Sequence, residues 1–181
     1  TTLPLKLNQA GVIPVIFAQP VIVLLVMLAA SPLLAKIGLD QFMGYGNPGR
    51  RDDGLGPLFA EEIEKLKLPN VTVETNYQLT VEDAHLVSQY DVVIFVDADA
   101  VSEDPFYFRE IGLGRDAINR VSTGHVGFST HSVTPDEVVQ LAHELFRAKM
   151  RTYILGIRGY EFEEFGEGLT AFAKKNFKLA F

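Results

Sequence analysis

Two aspartates and one histidine stand at positions of the sequence where side chains can do chemistry. Asp53 lies in the glycine-rich stretch GYGNPGRRDDGLG (residues 44–56), Asp97 follows an apolar run, and His131 precedes a predicted helix. An imidazole and two carboxylates form a metal site that suits nickel, zinc or manganese with coordination positions left open. The chain has no cysteine, which excludes disulfides, thiolate ligands and a cysteine nucleophile. Any metal chemistry must therefore use histidine, aspartate and glutamate.

Each of these residues also has a simpler role open to it. Asp53 is suited to the start of a helix, Asp97 to a turn, and His131 to a surface or capping position. A glycine-rich loop before a helix can also bind phosphate. However, the adjacent carboxylates Asp52 and Asp53 would repel an anion and attract a cation. Spacing alone does not choose between the metal site and the simpler roles.

The surrounding pattern predicts an α/β fold that would bring these residues together. Helices are expected after the glycine loop, from Thr80 towards Tyr90, from Thr134, and over Ala171–Phe181. Strands are expected ending at Phe42–Tyr45 and at Val71–Asn76, Val92–Val96, Phe106–Ile111 and Thr152–Arg158. Alternating strands and helices predict a doubly wound, mainly parallel, twisted sheet between helices. Ligands of such sheets bind beyond the carboxyl ends of the strands, where Asp53 and Asp97 are placed.

Four separated motifs together resemble the hydrogenase maturation endopeptidases. They are GYGNPGRRDDGLG, VIFVDADAV, STHSVTP and ILGIRGYEFEEFGEGLT, in this order over about residues 41–170. Members of that family remove a C-terminal extension from the large subunit of nickel–iron hydrogenase after nickel has been inserted. The resemblance implies that Asp53, Asp97 and His131 are the catalytic and metal-binding residues, and it implies the same sheet between helices.

The resemblance also implies a mechanism in which the substrate supplies the metal. The three residues would hold no permanent cofactor and would instead bind the nickel carried by the immature hydrogenase subunit. Coordination would orient the scissile peptide, and the metal could polarise a carbonyl or activate water. Asp52, Asp99 and His125 are candidates for supporting or structural roles around the site.

Residues 1–40 differ from the rest of the chain. No charged residue lies between Lys6 and Lys36, a span long enough for a membrane helix. We expect a hydrophobic helical appendage, helical from about Val12 to Leu34, that packs poorly against an α/β domain over residues 41–181. A buried or repurposed helix is the alternative. Residues 3–18 separately resemble a segment of the bacterial SecY translocation channel.

A junction between the two parts is expected near residue 40. Asp40 and Gln41 are polar at positions where a buried strand should be apolar. If the segment before them is a membrane helix, residues 7–35 would contact a membrane. The first residue is Thr, which is consistent with a joined or trimmed chain.

Charge and composition narrow the choice of partner. The net charge of −7 disfavours nucleic acid. The resemblance to the maturation endopeptidases implies that the partner is a nickel–iron hydrogenase large-subunit precursor. We expect a cytoplasmic monomer, with membrane association through residues 7–35. Two other functions are open: a different metal-dependent hydrolase, or a membrane-tethered, non-catalytic protein-binding module.

Overall fold

The computed structural model describes residues 40–111 and 133–181. In chain order the elements are β1 (Asp40–Tyr45), a 3-10 turn (Arg51–Gly54), α1 (Leu55–Lys65), β2 (Val71–Asn76), α2 (Asp83–Val87), β3 (Val92–Asp99), β4 (Phe106–Ile111), α3 (Pro135–Phe146), β5 (Arg151–Arg158) and α4 (Ala171–Ala180). Each predicted strand is present. The helix predicted from Thr80 towards Tyr90 is shorter than expected and covers only α2.

The five strands form one mixed sheet in the order β2-β1-β3-β5-β4. β1 pairs in parallel with β2 and β3, and β3 pairs in parallel with β5. β4 pairs with β5 antiparallel and forms one edge. The mainly parallel α/β sheet predicted from the sequence is therefore confirmed. The chain runs from β1 out to β2 and then returns to β3 on the other side of β1. The topological switch point, where the direction of the strand order reverses, therefore lies between β1 and β3.

Apolar side chains cover both faces of the sheet. On one face, α1 and α4 pack on alternate strand residues in a cluster that includes Phe42, Phe59, Ile94, Leu155 and Ala173. On the other face, α2 and α3 pack on the remaining alternate residues in a cluster that includes Met43, Ala84, Phe95, Val138 and Ile154. The period-two alternation along β1, β3 and β5 divides each strand between two cores, so all three central strands are buried on both faces.

The polar start of β1 is buried. Asp40 is 9% exposed and Gln41 is fully buried, although polarity alone predicts a mismatch with a strand at both positions. Burial and the nearby Asp91 charge raise the pKa of Asp40. Neither polar atom of the Gln41 amide has a hydrogen-bond partner in the described ranges. The strand thus includes these two polar residues, and its partners β2 and β3 pair with it from Asp40 onward.

Predictions for the N-terminal segment lie outside the described residues. These are the appendage over residues 1–40, the helix from Val12 to Leu34, the SecY-like residues 3–18 and the membrane contact of residues 7–35. Within residues 40–111 and 133–181, no helix has the length and apolar character needed to cross a membrane.

Candidate functional site

The glycine-rich loop fits tightly on the switch point between β1 and β3. Gly46 has a φ of +135°, a conformation open to glycine, and a Cβ at this position would meet the carbonyl oxygen of Asp53. Gly56, in the first turn of α1, lies so close to β1 and β3 that a Cβ would meet the carbonyl oxygens of Tyr45 and Val96. The start of α1 is therefore fixed over the carboxyl ends of both strands.

Asp53 is held by this loop in the 3-10 turn that leads into α1. Its Oδ2 accepts a hydrogen bond of 3.0 Å from the backbone N–H of Asn47. The side chain is half-buried, and burial raises the pKa of its carboxyl despite the opposing effects of the Asn47 N–H and the Arg50 charge. Asp53 is therefore a carboxylate with little solvation and few donors, at the place where ligands of such sheets bind.

Asp97 lies near the carboxyl end of β3, beside β1. Its Oδ1 accepts a hydrogen bond of 2.7 Å from the N–H of Ala98, and the Tyr45 hydroxyl lies beside the same carboxylate. Burial raises the pKa of Asp97 to about 7, against the lowering effects of the Tyr45 hydroxyl and the Ala98 N–H. The charges of Asp53 and Asp99 raise it further. Asp97 is thus a carboxyl that titrates near neutral pH.

The structure brings Asp53 and Asp97 close enough for the charge of one to affect the other. The Asp53 charge is one of the causes that raise the pKa of Asp97. Two poorly solvated carboxylates that repel each other would both be stabilised by a bound cation. Their arrangement is therefore suited to a metal ion.

The third predicted ligand, His131, lies outside the described residues, as does His125. Within the described ranges, no group of three or more His, Asp or Glu side chains is arranged to hold a metal. The start of α3, which follows His131 in the sequence, is well defined. Thr134 and Glu137 form the predicted capping box, with Pro135 in the first helical turn. The three-residue site therefore stays a prediction.

Asp52 is fully buried and its carboxylate is bound by a different part of the chain. It accepts hydrogen bonds from the backbone N–H groups of Tyr160, Glu161 and Thr170 at 2.8, 3.2 and 2.7 Å. The Thr170 hydroxyl donates a further bond of 2.8 Å. Asp52 thus ties the glycine loop to the segment between β5 and α4, and this role is structural.

Asp99 organises the turn after β3. Its Oδ1 accepts hydrogen bonds from the N–H groups of Val101 and Ser102 at 2.7 and 2.9 Å. The Tyr107 hydroxyl lies beside Asp99, and the Asp99 charge contributes to the raised pKa of Tyr107. Asp99 is therefore a turn residue whose charge acts on Asp97 from nearby.

Sequence patterns did not single out Tyr45 or Tyr107. Both rings pack against the α2–α3 core, and both hydroxyls reach carboxylates at the carboxyl end of β3. Burial raises the pKa of Tyr107 to about 12 and that of Tyr45 well above its ordinary value, so both retain their protons at neutral pH. An aromatic at an alternate strand position predicts only core packing; the partner of its hydroxyl depends on strand register.

No protein-family model and no curated protein matches the chain, whereas solved structures do. The nickel–iron hydrogenase maturation protease HycI from Thermococcus kodakarensis is 21% identical with a TM-score of 0.59, covering 86% of this chain and 92% of that one. The chain has the fold of the hydrogenase maturation proteases. The endopeptidase HycI from Escherichia coli is 20% identical, with a TM-score of 0.57 and coverage of 77% and 85%. HybD from Thermococcus kodakarensis is 14% identical, with a TM-score of 0.53 and coverage of 78% and 93%.

Proposed function

We propose that the chain is an endopeptidase that removes the C-terminal extension of a nickel–iron hydrogenase large-subunit precursor after nickel insertion. The observation that carries the proposal is the proximity of Asp53 and Asp97 at the switch point, where burial raises the pKa of both carboxyls and a bound cation would stabilise their charged forms. The fold shared with maturation proteases supports the same function.

In this proposal the nickel belongs to the substrate. Asp53 and Asp97 would each offer a carboxylate oxygen to it, and His131 would supply the nitrogen ligand. Asp97 is held near the carboxyl end of β3 and Asp53 in the 3-10 turn that follows β1, so a nickel-loaded precursor would bind in one orientation with its scissile peptide beside the site. A precursor without nickel would lack this contact and would be bound poorly.

Cleavage of nickel-loaded precursor, run beside nickel-free precursor, tests the proposal. Mass spectrometry of the reaction should detect the released C-terminal peptide only when the precursor contains nickel. Equal cleavage of both precursors would show that the protease does not use nickel to recognise its substrate. No cleavage of the loaded precursor by the folded full chain would contradict the function itself.

Substitution of His131 tests the third ligand separately. His131→Gln keeps a side chain of comparable size with a hydrogen-bonding end, but the amide is a far poorer metal ligand than imidazole. We expect a folded variant that cleaves nickel-loaded precursor nearly as poorly as His131→Ala. A His131→Gln protein with near wild-type activity would remove His131 from the site.

Membrane contact through residues 7–35 and a monomeric state are further parts of the proposal. Sedimentation of the full chain with lipid vesicles, compared with residues 41–181 alone, tests the first. Light scattering of the full chain in detergent tests the second. Sedimentation that does not depend on residues 1–40 would contradict membrane contact through this segment.

A further inference from the structure

We propose that Tyr107 is a catalytic residue whose hydroxyl donates a hydrogen bond to the carbonyl oxygen of the scissile peptide when the substrate is bound beside Asp97. This inference rests on the proposed function, because that function places the nickel-bearing substrate at Asp97. It adds to the site a residue of β4, an edge strand that lies outside all four sequence motifs.

Strand register brings Tyr107 towards the site. Gly156 of β5 pairs with Tyr107 of β4 on one side and with Asp97 of β3 on the other, so the three residues form one row across the sheet. The Tyr107 ring packs against the cluster that contains Phe95 and Ile154, on the face covered by α2 and α3. Asp97 and Gly156 lie two residues after Phe95 and Ile154, so they belong to the same face.

The absence of a side chain at Gly156 makes room for the phenol of Tyr107. A Cβ at Gly156 would lie 2.6 Å from the Tyr107 hydroxyl oxygen and closer still to two carbons of the ring. The Tyr107 side chain therefore crosses from β4 over the backbone of β5, and its hydroxyl end lies in the row position next to Asp97. Tyr107 is half-buried, so part of its surface is open to a substrate.

A hydrogen-bond donor is needed at this place because the neighbouring groups repel negative charge. The charges of Asp53 and Asp99 both act on Asp97. A carbonyl oxygen that becomes negative beside these carboxylates is stabilised by a fixed donor. Burial raises the pKa of Tyr107 to about 12, so its hydroxyl keeps its proton at neutral pH. The Arg109 guanidinium lies 6.0 Å from the centre of the Tyr107 ring and adds positive charge on this side.

The proposed hydrogen bond acts on the charge that develops during hydrolysis. The oxygen of a water molecule bonds to the carbonyl carbon, and the electron pair of the C=O π bond moves onto the carbonyl oxygen. When the C–N bond breaks, that electron pair forms the C=O bond again. The leaving nitrogen keeps the electrons of the C–N bond and takes the proton that the water gives up. Tyr107 keeps its own proton throughout and stabilises the negative oxygen between these two steps.

Tyr107→Phe removes the hydroxyl and keeps the ring in the core. Removal of one such donor typically lowers kcat by about 100- to 1,000-fold, and we expect a loss of this size in the cleavage of nickel-loaded precursor with KM within about twofold. Tyr153→Phe is the matched control. Tyr153 lies on β5 but packs on the opposite face of the sheet, stacked on Phe108. Its variant should keep kcat within about twofold.

Gly156→Ala tests the position of the hydroxyl by a second route. The added Cβ would displace the phenol, so Gly156→Ala should also lower kcat by about 100-fold or more. Adding Tyr107→Phe to Gly156→Ala should then change kcat by less than about threefold, because the hydroxyl has already left its place. A full further loss in the double variant would overturn the proposed position. Urea denaturation shows whether each variant is folded, and Tyr107→Phe decides the proposal if Gly156→Ala is not.

The kinetics of folded Tyr107→Phe separate failure of this inference from failure of the proposed function. An unchanged kcat beside an active wild type would overturn the catalytic role while the function stands. A raised KM with unchanged kcat would also overturn it, because the hydroxyl would then contribute only to substrate binding. An equal loss of kcat in Tyr153→Phe would show a general effect of losing a phenol and would overturn it as well. If wild type does not cleave nickel-loaded precursor, the proposed function fails and the catalytic role fails with it.

Discussion

Asp52 and Asp53 are neighbours in the sequence, but their carboxylates have opposite surroundings. Asp52 is fully buried and accepts four hydrogen bonds from the segment between β5 and α4. Asp53 accepts one backbone hydrogen bond, from Asn47, and faces the switch point shared with Asp97. The Asp52 carboxylate therefore accepts four hydrogen bonds from the protein, whereas the Asp53 carboxylate accepts one.

The comparison distinguishes a carboxylate that stabilises the fold from one that is available to a ligand. A buried carboxylate with several donors has its charge satisfied by the protein. Asp53 and Asp97 have fewer donors, and burial raises the pKa of both. Groups perturbed in this way within a cleft are candidates for function. We therefore expect substitutions of Asp52 to change stability, and substitutions of Asp97 to change activity.

The largest effect that we expect is the loss of cleavage in Asp97→Asn. The neutral amide keeps the size of the side chain but is a weak ligand, so cleavage of nickel-loaded precursor should fall on the order of a thousandfold or more. The released peptide, quantified by mass spectrometry, measures this loss. Asp99→Asn is the control and should retain activity within about tenfold, because Asp99 organises a turn. A folded Asp97→Asn protein with normal activity would contradict the assignment.

How much of this site could be predicted from the sequence depends on the range of the interactions. The continuous apolar run that ends at Asp97 predicts a buried parallel strand with a carboxylate at its end, and the structure has this strand as β3. The capping box at Thr134 is equally local and is present. By contrast, the donors to Asp52 come from residues more than a hundred positions later in the chain.

Two further features depend on strand register and packing rather than on local pattern. The neighbour of the Tyr45 hydroxyl follows from the pairing of β1 with β3, which the sequence of either strand does not specify. Gln41 is buried although a glutamine at a strand start predicts exposure or a boundary. Patterns of polarity thus locate elements and their ends, while contacts between distant elements require the assembled sheet.

The second prediction concerns Asp52. Asp52→Ala should lower the free energy of unfolding by about 3–5 kcal/mol, because each buried donor left without a partner costs about 1–3 kcal/mol. Urea denaturation measures the change. Asp53→Ala is the matched control and should cost about 1 kcal/mol or less, since it removes one backbone hydrogen bond. Equal losses in the two variants would remove the contrast between these neighbours.

The third prediction uses the raised pKa of Asp97. The ordinary pKa of an aspartate side chain is 3.8, whereas that of Asp97 in the folded chain is about 7. Ionisation is therefore harder in the folded state, and wild type should lose stability relative to Asp97→Asn as the pH rises through this interval. The difference should reach about 2–4 kcal/mol above the folded pKa, since each pKa unit corresponds to about 1.4 kcal/mol. Urea denaturation across the interval measures it, and a difference independent of pH would contradict the raised pKa.

The smallest effects are expected at two threonines that cap helices. The Thr134 hydroxyl accepts from the Glu137 N–H at the exposed start of α3. The Thr170 hydroxyl accepts from the Ala173 N–H at the start of α4 and also donates to Asp52. Thr134→Ala should cost about 1 kcal/mol, the usual value for an N-cap. Thr170→Ala should cost about 2 kcal/mol, because it also removes a hydrogen bond to a charged group.

A double-mutant cycle with Asp52→Asn separates the two caps. Thr170→Ala should show a coupling energy of about 1 kcal/mol with Asp52→Asn, because the two side chains share a hydrogen bond. Thr134 makes no hydrogen bond to Asp52 in the described ranges. The loss of unfolding free energy in Thr134→Ala should therefore add to that of Asp52→Asn within about 0.5 kcal/mol. Additivity at Thr170 would mean that Asp52 is held by the backbone donors alone. A coupling energy at Thr134 would mean that Asp52 also stabilises the start of α3. The effect of Asp52 would then not be confined to the segment between β5 and α4.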